Sequence, residues 1–145
     1  MTTTTKSTRS ATESKLRSTT EIGCASVMVA RSALHAMGWN TARPEVDSGA
    51  DVWAETPDGE IKRIQVRTII VRDTEKRRGE YVIPARKSNG EPFQPDEVDY
   101  LIGVLGSRAW LVPCTGKSEY WSGAYGDTSR WTEITPNYAK EAMSE

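Results

Sequence analysis

The chain has 145 residues, 37% hydrophobic and 27% charged, with a net charge of −1, one His and two Cys. These values describe one soluble globular domain and exclude a disordered, fibrous or membrane-spanning chain, since no apolar run approaches about 20 residues. Too few Cys and His are present for a disulfide framework or a four-ligand zinc site, and a polar N-terminus without a signal-peptide core makes a reducing cytoplasm the expected location.

Residues 1–13 are rich in Thr and Ser without apolar periodicity, and a disordered polar tail is expected there. Residues 14–145 are expected to form one domain with an aromatic-containing C-terminal extension. A long helix is predicted from Ser14 to Met37, because Ile22, Ala25, Val29, Ala33 and Ala36 recur at spacings of three and four. Gly38 is its natural stop, and His35 near that end suits the helix dipole. Trp39 to Arg43 and Asp51 to Thr56 read as strands, the second closed by a Pro57-Asp58-Gly59 turn. Ile61 to Val71 carries the strongest strand pattern, rich in β-branched residues. Its alternation sends Ile64, Val66 and Thr68 to one face and Arg63, Gln65, Arg67 and Ile69 to the other. A charged turn from Arg72 to Gly79 leads to a strand from Tyr81 to Pro84, then a polar loop over 85–96 around Asn89-Gly90. Tyr100 to Leu105 and Ala109 to Pro113 form a final hairpin about Gly106-Ser107. Trp121, Trp131 and Tyr138 follow, with a short helix after Pro136. One helix followed by a run of strands is an α+β pattern.

Charge is segregated along the chain. Residues 61–90 hold nine basic and three acidic groups, a balance of +6, whereas 21–60 and 91–145 each carry −5. Such a strip suits phosphates, although a merely solvated face has the same signature.

The informative stretch is Asp47-Ser48-Gly49-Ala50-Asp51-Val52, then a turn, then Ile64-Gln65-Val66-Arg67-Thr68. An acid at the start of one strand and a Gln two residues before a cation on the next can converge on one face. Phosphodiester hydrolysis needs such a group. Carboxylate and amide oxygens hold Mg²⁺, the metal activates water, and a cation stabilises charge growing on the phosphate. The backbone carbonyl of Val66 is a further metal ligand in this reading. An ordinary polar sheet face would carry the same Asp and Gln.

At these residues the chain resembles the PD-(D/E)XK nucleases, in the group whose motif reads Gln-x-Lys and which includes homing endonucleases. The likeness runs from about Thr20 to Pro113. It takes in Met37-Gly38-Trp39, Arg43-Pro44, Asp47 to Asp51, Ile64 to Thr68, Tyr81-Val82-Ile83-Pro84, Asp96-Glu97-Val98-Asp99-Tyr100 and Trp110-Leu111-Val112-Pro113. The fold it implies is α/β, a restriction-endonuclease-like core with a central mixed β-sheet flanked by helices. The resemblance makes Asp51 and Gln65 the catalytic ligands of Mg²⁺ or Mn²⁺, with Asp47 as an auxiliary acid. Arg67 occupies the place of the motif's Lys. Cys24 stands where the first helix usually presents a Glu, and Glu21, one turn earlier, is the catalytic substitute.

Under this resemblance Arg63, Arg72, Lys76, Arg77, Arg78, Arg86 and Lys87 would contact DNA phosphates. The implied activity is metal-dependent DNA endonuclease action on duplex or branched DNA, by a homodimer or larger symmetric assembly with two active sites. Arg does not give up its proton in proteins, so Arg67 cannot be a general base. The alternative is therefore a catalytically degenerate nucleic-acid-binding or regulatory protein on the same scaffold. A protein-interaction module, hinted at by Tyr120, Trp121, Tyr125 and Trp131, is the third class.

Overall fold

The computed structural model describes residues 18–45 and 49–136. The polar tail, Asp47 and the short helix expected after Pro136 lie outside the described residues. Among the described residues one α-helix, α1 (Thr19–Ala36), precedes β1 (Asn40–Ala42), β2 (Val52–Glu55), β3 (Ile61–Thr68), β4 (Ile70–Arg72), β5 (Glu80–Pro84), β6 (Tyr100–Leu105), β7 (Arg108–Pro113), β8 (Glu119–Trp121) and β9 (Thr132–Glu133). No helix of the described residues is long and apolar enough to cross a membrane.

The helix is shorter than its apolar pattern predicts. Ser18 caps it by accepting a hydrogen bond from the Glu21 amide at 3.1 Å, so the first turn of this helix starts at Thr19. The other end follows expectation. Gly38, at φ 86°, donates to the His35 carbonyl and Trp39 to that of Leu34, the paired bonds of a Schellman stop.

The main sheet has the order β1-β2-β3-β6-β7-β9 and is mixed, because β3 and β6 run parallel while its other pairs are antiparallel. On one face, Val27, Ala30, Ala33 and Leu34 of α1 pack against Val52, Ile64, Val66, Ile102 and Val104. A fully buried Leu or Val contributes about 1.5–3 kcal/mol, so this stripe fixes which face of β3 turns inward.

The opposite face corrects the expectation of flanking helices. It is covered by a second sheet of order β4-β5-β8, and α1 is the single α-helix of the described residues. The chain reaches this second sheet by breaking the strand predicted from Ile61 to Val71. Ile69 still donates to the Val104 carbonyl of β6, but Ile70 already pairs with Val82 of β5. Ile69 is buried between the two sheets, whereas Ile70 and Val71 beyond the switch are exposed.

Gly103 of β6 allows the sheets to approach. A Cβ there would lie 2.5 Å from Ile83 and 3.0 Å from Ile69. Gly103→Ala is expected to cost about 1–3 kcal/mol through overpacking. Urea unfolding checks this, and an unchanged midpoint would show that the layers part without cost.

Candidate active site

The strand β2 stops pairing with β3 at Val52 opposite Ile64. Beyond it the chain turns through Gly49, whose φ of 89° favours glycine, and Ala50 is buried beneath the second sheet. The next β3 amide on that edge, Val66, therefore lacks a strand partner. Asp51 supplies one: its Oδ2 accepts from Val66 at 3.0 Å, while its own amide donates to the Ile64 carbonyl at 2.9 Å. Strand geometry turns the Val66 carbonyl to the same edge as its amide.

Gln65 and Arg67 project from the face of β3 away from α1, as the alternation predicts. Together with Asp51 they line one side of a cleft of about 580 Å³, whose other side is Arg86, Lys87 and Phe93. That second wall is a tight turn at the Asn89-Gly90 signal. Lys87 donates to the Glu91 carbonyl at 2.7 Å, Gly90 donates to that of Lys87 at 2.9 Å, and Glu91 donates to the Asn89 side chain at 3.0 Å. Arg86 and Pro92 form an isolated antiparallel bridge below it.

Arg67 is held on two sides. Its guanidinium lies 5.3 Å from the centre of the Phe93 ring, and Nη2 donates to the Arg86 carbonyl at 3.0 Å. Its buried Nε has no hydrogen-bond partner. Burial pushes the Arg67 pKa down, and Asp51 opposes that shift. A guanidinium starts so high that it stays charged at neutral pH. The cleft thus contains a fixed cation whose guanidinium has N–H groups beyond the one given to Arg86.

Asp51 and Gln65 offer oxygen donors of the kind Mg²⁺ and Mn²⁺ prefer. One Asp51 oxygen is spent on Val66. Gln65 is 7% exposed and lines the cleft, where its side-chain amide makes no hydrogen bond to the described residues. The donor set fits a hard cation that keeps several waters. Among the described residues no three His, Cys, Asp or Glu side chains form a metal-holding group, so the fit rests on one carboxylate, one amide and a carbonyl.

Two expected site residues stand apart from this cleft. Glu21 and Cys24 are exposed on α1, which covers the other face of the sheet, and neither lines the cleft. The predicted phosphate contacts divide. Arg63 pairs with Asp99, Arg72 with Glu119, Arg77 with Glu80 and Lys87 with Glu97. Lys76, Arg78 and Arg86 have no ion pair among the described residues. Sequence reasoning passed over Phe93 and Glu97. The signal for Phe93 was an apolar ring, the chain's one Phe, inside an otherwise polar loop.

Of the C-terminal aromatics, Tyr120 and Trp131 are buried against the main sheet, whereas Trp121 and Tyr125 are exposed. Arg77 stacks over Trp121 at 3.7 Å.

No protein-family model matches the chain. No curated protein matches its sequence. A solved structure of a bacterial homing endonuclease superposes with a TM-score of 0.58, covering 88% of this chain and 89% of that chain at 19% identity. The two chains share a fold.

Proposed function

We propose that the chain is a metal-dependent DNA endonuclease working through Asp51, Gln65 and Arg67. The carrying observation is the convergence of these three side chains on one cleft, which sets an amide beside a carboxylate and a fixed cation. The shared fold with a homing endonuclease supports the same reading. Asp51, Gln65 and the Val66 carbonyl would hold Mg²⁺ or Mn²⁺, which when bound lowers the pKa of water toward neutrality. Asp51 orients the Val66 peptide, and Arg67 offers the guanidinium N–H groups not given to Arg86 to a phosphate oxygen. Arg67 acts as a charge clamp and not as a base. Cleavage of both strands calls for a second copy of the cleft, so the working form is a homodimer or larger.

Chelator-sensitive nicking or linearisation of supercoiled plasmid, or cutting of branched DNA, with Mg²⁺ or Mn²⁺ tests this. Equal product with and without chelator would contradict metal dependence. A second reading, a nucleic-acid-binding protein without catalysis, is favoured by Arg67 in the place of Lys and by the small number of acids at the cleft. It predicts tight DNA binding and no cleavage under any of these conditions.

Binding should be salt-sensitive through the cations that lack acidic partners. Replacing Lys76 and Arg78 together with Ala is expected to reduce the log–log salt slope by about 1.8, roughly 0.9 for each phosphate contact. Fluorescence anisotropy at several salt concentrations measures it. An unchanged slope would show that the turn between β4 and β5 faces away from DNA.

A further inference from the structure

Resting on the nuclease reading, we propose that Lys87 is the general acid of the cleft, giving an ammonium proton to the sugar oxygen that leaves phosphorus. Hydrolysis creates a strongly basic alkoxide on that oxygen, and a proton delivered as the bond breaks lowers the barrier. The described residues lining the cleft leave one suitable donor. Arg67 and Arg86 hold their protons more tightly than any other side-chain cation, and the Ser88 hydroxyl is too weak an acid. Gln65 and Phe93 have no acidic proton to give, and Asp51 works as a carboxylate. Lys87 remains.

Lys87 is also held in place at the cleft wall. Its backbone is fixed on both sides of the tight turn by the bonds to Glu91 and Gly90. Its Nζ donates to both oxygens of Glu97, at 3.1 and 2.9 Å. Glu97 is itself held by the Gln94 amide at 3.1 Å. An ammonium has three N–H groups, so this clamp leaves one for substrate. The hydrogen bonds to Glu97 and the charge of that carboxylate raise the Lys87 pKa, so the ammonium is charged at neutral pH.

The step balances without another reactant. The oxygen of a water molecule bonds to phosphorus, and its surplus proton passes to solvent. The bond from phosphorus to the sugar oxygen breaks with both electrons on that oxygen, which takes the Lys87 proton. The neutral amine then regains a proton from solvent.

The test uses two oligonucleotide substrates with Mn²⁺, one ordinary and one with sulfur replacing the leaving sugar oxygen. A thiolate leaves without needing a proton. Lys87→Gln is expected to slow the ordinary substrate by about 10²-fold and the sulfur substrate by less than about threefold, as loss of a general acid requires. Lys87→Arg, which keeps the charge, should show the same contrast. Equal slowing of both substrates would make Lys87 a phosphate clamp and overturn the proposal, as would no slowing of either. Failure of the wild-type protein to cut either substrate would overturn the nuclease reading, and this proposal with it.

Discussion

Asp51→Asn is expected to lower metal-dependent cleavage by about 10²–10³-fold while leaving the fold intact, the scale seen when one electrostatic stabiliser is lost. The substitution separates two tasks of one side chain. Asn retains an oxygen that accepts from the Val66 amide, so the β2–β3 edge keeps its hydrogen bond. It removes the charge that makes the carboxylate a hard cation ligand. Calorimetric titration with Mn²⁺ should therefore show affinity falling by at least about tenfold, with an unchanged melting temperature. Equal Mn²⁺ affinity in both proteins would remove Asp51 from the metal site.

The largest loss of stability is expected at Trp110. This side chain on β7 is fully buried and packs edge-on against Tyr81 of the second sheet and Trp131 of the C-terminal segment. Its indole N–H has no partner, so its contribution is packing and not hydrogen bonding. Trp110→Ala should cost about 3–5 kcal/mol. For a chain of this size that corresponds to a fall of roughly 10–20 °C in melting temperature. Trp110→Phe, which keeps the aromatic contacts and removes the unpaired N–H, should cost far less. Near-equal losses for Phe and Ala would show that the indole fills a space no other ring can. Because Trp110 joins the second sheet to the first, its loss should loosen the layer from which the cleft's outer wall extends.

Local chemistry made part of this legible in the sequence. The stop at Gly38, the turn at Pro57-Asp58-Gly59 and the hairpin at Gly106-Ser107 each depend on residues whose backbone preferences are strong. The alternation of β3 placed Gln65 and Arg67 together because Ile64 and Val66 must face α1. What could not be read is long-range. Nothing within Ile61 to Val71 marks Ile69 as the point where the chain changes sheets, since β-branched residues suit both strands equally. The short strands β8 and β9 draw their stability from partners about 40 and 20 residues away in sequence, β5 and β7 respectively, and carry little signal of their own. The start of α1 depended on one capping hydroxyl among many Ser and Thr residues. At the site, Glu21 shared a helical face with Cys24, but helical spacing does not say which side of a sheet the helix covers. The basic strip counted charges without their partners, and four of its seven proposed phosphate contacts pair with acids from elsewhere in the chain or the same turn.

Arg67 decides between an enzyme and a binding protein, because it lines the cleft beside Gln65 and next in sequence to Val66. The direct measurement is single-turnover cleavage of plasmid DNA in Mg²⁺ by wild type, Arg67→Lys and Arg67→Ala. Lys keeps the charge on a smaller head group and can still reach a phosphate, whereas Ala removes the clamp and leaves Phe93 without its cation. The expected order is Arg67→Lys equal to or faster than wild type, and Arg67→Ala slower by about 10²-fold. Equal rates in all three proteins, or no cleavage by wild type and Arg67→Lys alike, would contradict a nuclease site at this cleft.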